Sequence, residues 1–172
     1  MEKSKSNSPA NWGAKFEAAG TVGTIGTTRK SKYRYGVGID AGTNTGFAVY
    51  DFTENKLLEV KTVTFTEATN IILEMKKQGT DFFVRFEDAR KRRWYGKKGV
   101  ESLQGAGSIK RECGIWEEWL TYYSIPFEMY APNQNITKLK SDYFGKLTGW
   151  VKKTNEHGRD ACMLIFKKPK IY

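Results

Sequence analysis

At 172 residues, with 14% aromatic and 28% charged side chains, the chain is long enough for one substantial core and reads as a water-soluble domain. No run approaches the ~18 consecutive apolar residues of a membrane span, and no apolar signal core stands near the start, which sets aside membrane-spanning and secreted classes. Lys and Arg number 29 against 19 Asp and Glu, a net charge of +10, which points to a polyanionic partner, nucleic acid first.

Residues 1–32 are rich in Ser, Gly, Thr, Ala and Lys with little apolar periodicity, and are expected to form a disordered basic tail. Six cations against Glu2 and Glu17 leave more than half of the net charge to the rest, a single domain over 33–172. Tyr33 to Asp40 predicts a central strand, Gly42 and Gly46 a tight turn, and Phe47–Tyr50 and Leu57–Phe65 two further strands of an antiparallel meander. Thr66 is the expected N-cap of a helix with Ala68, Ile71, Ile72 and Met75 on its inner face and Gly79 at its end. Phe82–Glu87, apolar on both faces, is a buried strand, and the helix before it implies parallel pairing.

A charged loop over 88–100 leads into a long helix whose stripe is Leu103, Ala106, Ile109, Cys113, Trp116 and Leu120. Ile115 and Trp119 lie off that stripe, where they cover a core edge or a second subunit. Ser124–Tyr130 is a short strand, and 134–150 holds one or two helical turns broken by Gly145 and Gly149. A last helix, capped by Thr154 or Asn155, runs from about Glu156 to Phe166. The fold class is α/β, a mixed five-stranded sheet of an antiparallel meander plus two parallel strands, flanked by helices. Cys113 and Cys162 fall in apolar patterns and read as buried reduced thiols, consistent with a cytoplasmic location; Glu2 and Glu17 speak against a mitochondrial leader.

Asp40 and Glu87 each close an apolar strand, where a carboxylate is costly to desolvate unless a cation satisfies it. His157 and Asp160, three apart at the start of the last helix, share one helical face. Each has a plainer reading: Asp40 as a turn cap, Glu87 as a solvated strand end, His157 as a structural or solvated histidine, Asp160 as a dipole partner. Together they suggest a divalent metal centre. Oxygen donors suit Mg²⁺ or Mn²⁺, and a two-ion site serves phosphodiester hydrolysis. Asp40 is placed to bridge both ions, Glu87 and Asp160 to hold one each, and His157 to complete a shell or orient the attacking water. Asp88 points to the other side of its strand, and Glu156 faces solvent.

Gly-Ile-Asp-Ala-Gly at 38–42, Phe-Glu-Asp at 86–88 and Glu-His-Gly-Arg-Asp-Ala at 156–161 resemble, in order and spacing, the RuvC-like Holliday-junction resolvases of the ribonuclease-H-like superfamily. The resemblance covers about residues 34–166. It implies metal-binding carboxylates at Asp40, Glu87 and Asp160, with His157 where the family places an acid or a histidine. It also implies a homodimer that nicks opposing strands of a four-way DNA junction. The segment between Tyr130 and His157 is short for the family, and the last helix ends early.

The loop after Glu87 carries Arg90, Lys91, Arg92, Arg93, Trp94, Tyr95, Lys97 and Lys98, cations for phosphates and aromatics that can stack on unpaired bases. By the resemblance, it lies where resolvases contact the junction. Lys138 and Lys140 are further phosphate contacts, and Lys152 and Lys153 weaker ones. Three alternatives stand: another ribonuclease-H-like nuclease acting on hybrid, flap or transposon ends; a non-catalytic DNA-structure binder; and an actin-like or sugar-kinase nucleotide binder. The last is suggested by Asp40-Ala41-Gly42-Thr43 but needs a second lobe.

Overall fold

The computed structural model describes residues 31–42, 44–91 and 100–170, with the backbone alone over 100–106. Most of the expected N-terminal tail therefore lies outside the described residues; its last two, Ser31 and Lys32, already pair with the carbonyl of Lys170.

Strand β1 (Tyr35–Asp40) is the centre of a five-stranded sheet of order β3-β2-β1-β4-β5. It pairs antiparallel with β2 (Thr45–Asp51), setting Asp40 opposite Gly46, and parallel with β4 (Phe82–Glu87), setting Ile39 opposite Phe86. β3 (Lys56–Val63) continues the meander antiparallel to β2, and β5 (Phe127–Tyr130) lies parallel to β4. This is the expected mixed sheet, an antiparallel meander of β1, β2 and β3 with β4 and β5 added in parallel.

Alternation along β1 splits the core in two. Tyr35, Val37 and Ile39 face α1 (Phe65–Lys77) and α2 (Val100–Tyr122), where Ile72, Met75, Cys113, Trp116 and Leu120 are buried. Gly36 and Gly38 face the opposite layer, made by α4 (Glu156–Ile165) with Phe144 of α3 (Ser141–Thr148). A Cβ on Gly38 would stand 2.9 Å from the carbonyl carbon of Ala161 and nearer still to its oxygen. One on Gly46 would overlap the carbonyl of His157. These two bare positions let the α4 backbone rest on the sheet. At its other end α4 is held by Arg85, which is buried on β4 and donates to the carbonyls of Leu164 (2.9 Å) and Lys168 (2.8 Å).

Local chemistry corrects several expected boundaries. The cap of α1 is Thr64, not Thr66: its Oγ accepts from the Glu67 amide (3.2 Å) while the Glu67 carboxylate accepts the Thr64 N–H (2.8 Å), a reciprocal box that Thr66 lacks a partner to form. Those bonds hold the Glu67 carboxyl below its ordinary range. Ile109 is 42% exposed, with 107 and 108 also open to solvent, while Cys113, Trp116 and Leu120 of the expected stripe are buried; the side chains of Leu103 and Ala106 lie outside the described residues. Trp119 packs edge-on against Trp116 at the core margin, and Ile115 stays exposed. β5 starts at Phe127 because Ser124 takes a positive φ of 49° in the preceding turn. Gly145 lies inside α3, and Gly149, at φ 74°, ends it. Of the two candidate caps of α4, Asn155 serves, accepting from the Gly158 amide at 3.0 Å. Cys113 and Cys162 are buried and unbridged.

Candidate functional site

Pairing of β1 with β4 puts Asp40 and Glu87 at neighbouring strand ends, and the docking of α4 at Gly38 and Gly46 brings His157 and Asp160 to the same edge. His157 Nδ1 lies 2.9 Å from Asp40 Oδ2. Burial pushes the Asp40 carboxyl up to about 6; the His157 bond works against that rise, and the charges of Glu87 and Asp160 add to it. Asp160 is 7% exposed and is likewise raised by burial, opposed by the Lys138 amide that donates to its Oδ1 at 2.8 Å. Glu87 Oε2 accepts from Asn135 Nδ2 at 3.3 Å, and the same amide donates to the Asp160 carbonyl at 3.1 Å.

Glu87 and Asp160 thus raise the cost of charge on Asp40, and the oxygens of all three are the hard donors that a Mg²⁺-type ion takes. Among the described residues no three His, Cys, Asp or Glu side chains are grouped so that they could hold a metal ion as they stand. His157 closes on Asp40, Asn135 on Glu87 and a backbone amide on Asp160. Asp88 turns away, as its strand parity requires, and is buried at 2% exposure against Arg90; Glu156 is exposed.

The basic residues divide. Arg90 is engaged by Asp88 (Nε–Oδ1 2.7 Å) and by Glu117 (Nη2–Oε2 2.6 Å). Lys91 Nζ donates to the Met129 carbonyl at 2.8 Å. Arg92, Arg93, Trp94, Tyr95, Lys97 and Lys98 lie outside the described residues. Lys138, whose amide reaches Asp160, is exposed, as are Lys140 and, before α4, Lys152 and Lys153.

Three residues have a part at the site that the sequence did not signal. Asn135 links Glu87 to α4. Arg159 donates to the carbonyls of Leu139 (2.7 Å) and Thr154 (3.0 Å), fixing both flanks of the lysine-bearing segment. Glu112 on α2 places a buried Oε2 3.9 Å from where a Cβ on Gly42 would stand, over the turn that follows Asp40.

No family model and no curated protein matches the chain. Among solved structures it is similar to T. thermophilus RuvC in complex with Holliday junction substrate, at 18% identity over 78% of this chain and 92% of that one, with a TM-score of 0.49.

Proposed function

We propose that this chain is a divalent-metal-dependent endonuclease of the junction-resolving type, acting on branched DNA as a homodimer. One observation carries the reading: Asp40, Glu87, His157 and Asp160, apart in sequence and on three elements, stand at one edge of the sheet with Asp40 sensing all three others. A nucleotide kinase has no use for that set, and a non-catalytic binder would gain stability by losing it.

In this reading Asp40, Glu87 and Asp160 hold Mg²⁺ or Mn²⁺, two ions per site. Bound there, the metal supplies an activated water and charge neutralisation at the phosphate. The remaining work belongs to the chain. Asp40 takes Nδ1 of His157, fixing the ring and leaving Nε2 to orient a water or accept its proton. Asn135 and the Lys138 amide keep Glu87 and Asp160 from turning into solvent. The Lys138 and Lys140 side chains, with Arg92, Arg93, Lys97 and Lys98, draw the phosphate backbone to the edge, and Trp94 and Tyr95 stack on bases unpaired at the crossover.

The test is a cleavage panel of four-way junction, flap, RNA–DNA hybrid and linear duplex, with and without Mg²⁺ or Mn²⁺. Ion-dependent cutting of the junction above the others is expected. Asp40→Asn should abolish cutting and leave junction affinity within a few-fold. Normal cutting by that variant would refute the assignment of the site.

A further inference from the structure

The first cation after Glu87 is spent inside the molecule. Arg90 grips both oxygens of Asp88, with Nη2–Oδ2 at 3.0 Å beside the Nε contact, and also Glu117 Oε2 on α2. Its Nη1 lies 3.9 Å from where a Cβ on Gly114 would stand, so it runs close over α2 at a position without a side chain. One guanidinium with two carboxylates has a net charge of −1, which offers nothing to a phosphate.

The backbone around it is equally tied. The Asp88 amide donates to the Tyr130 carbonyl (2.7 Å), the Lys91 amide to the Asp88 carbonyl (3.0 Å), and the Arg90 amide to Asp88 Oδ1 (3.1 Å). Lys91 Nζ reaches the Met129 carbonyl, and Cys113 Sγ of α2 lies 3.5 Å from the Glu87 carbonyl oxygen. The Tyr130 and Met129 contacts fix the residues following Glu87 against β5, Cys113 holds Glu87 itself to α2, and the two amides that donate to Asp88 close the turn on itself.

We infer that Arg90 is a positioning residue: with Asp88 and Glu117 it clamps the end of β4 between α2 and β5, and so holds Glu87 in place beside Asp40. This rests on the nuclease reading for its consequence in catalysis, but the clamp itself can be tested without it. Arg suits the task where Lys does not, because its planar fork spans two carboxylates at once.

Three readouts decide. Amide exchange of Asp88 and Lys91, followed by NMR, should accelerate in Arg90→Ala and in Glu117→Gln. In the Asp40→Asn background, the slope of log Kd for junction DNA against log salt should be unchanged by Arg90→Ala. Cleavage should fall roughly tenfold or more in Arg90→Ala, Arg90→Lys and Glu117→Gln alike, with the ion concentration for half-maximal rate raised and the Arg90→Ala/Glu117→Gln pair no worse than either alone. The clamp is overturned if Arg90→Ala leaves both amides protected. It is also overturned if that variant lowers the salt slope by about 0.9, the loss of one phosphate contact, while Glu117→Gln binds DNA as well or better. Should Arg90→Ala not fold, Arg90→Lys and Glu117→Gln carry the same comparison. A wild-type protein that cuts no junction removes the nuclease reading and leaves the exchange result to judge the clamp.

Discussion

Burial and the proposed task pull on Asp40 in opposite directions. An ordinary Asp titrates near 3.8, and here the carboxyl is pushed up to about 6. Between those values the folded protein holds a proton that the unfolded chain has released, so metal-free stability falls as pH rises through that window. Asp40→Asn should therefore stabilise the metal-free protein by on the order of 2 kcal/mol at neutral pH and by nothing below about pH 4. Urea unfolding at the two pH values measures it; destabilisation at neutral pH would show that burial is not the dominant cause. Lys138 poses a different question at the same scale, because its amide and its ammonium have separate assignments. It sits at φ 60°, a left-handed conformation costing a non-glycine residue ~1–2 kcal/mol, while its N–H serves Asp160. Lys138→Gly keeps that amide and relieves the backbone, so stability should hold or rise while the salt slope for junction binding shrinks by ~1. Lys138→Pro cannot reach that φ and has no N–H, so cleavage should fall with it even where DNA still binds. Equal cleavage by the two variants would leave the Asp160 bond without a role.

Helix α4 carries half of the candidate site, and glycines on two strands decide where it sits. An alanine in place of a strand glycine ordinarily gains ~0.5–1 kcal/mol. At Gly46 the sign reverses, since a Cβ there would overlap the His157 carbonyl and lie 2.9 Å from the Asp40 Cβ. Gly46→Ala should cost about 3 kcal/mol or more and lower the melting temperature by roughly 6–12 °C. Gly42→Ala, four residues earlier, meets nothing nearer than 3.8 Å and should be nearly silent in the same melting experiment. That contrast marks what the sequence could tell. Asp40 and Glu87 were legible because each ends an apolar run, and strand period plus strand order puts such ends side by side. His157 and Asp160 were legible as one helical face. The approach of α4 was not, since Gly46 reads equally as a turn glycine and as a docking surface. Nor was the fate of Arg90, because a run of cations carries no mark of which one folds back onto a carboxylate 27 positions on. Ile109 kept its helical phase yet met no core, since phase fixes direction and the length of the neighbouring layer fixes contact.

Taken as a whole, the molecule divides its two sheet faces between tasks: α4 brings the chemistry, and α2 leaves apolar surface facing outward. Ile115 is 42% and Tyr122 80% exposed, and their spacing of seven puts them on one side of α2. No helix of the described residues is long and apolar enough to cross a membrane. A four-way junction has two-fold symmetry, and cutting opposed strands requires two sites related by a matching axis, which an isologous dimer supplies. Tyr143, Leu147 and Val151 are exposed as well, and we propose the α2 face for that contact, where Lys76, whose ammonium donates to the Tyr123 carbonyl, steadies the helix end. Sedimentation of the wild-type chain should give twice the 19.6 kDa of one copy. Ile115→Glu should shift it to the single-chain mass, because burying an unpaired carboxylate at such a contact costs more than the contact returns. The candidate ligands Asp40, Glu87, His157 and Asp160 lie on β1, β4 and α4, so divalent-ion binding per chain should persist in that variant. The two nicks should become uncoupled, leaving junctions cut on one strand. A variant that stays dimeric and still makes paired nicks would move the interface off α2.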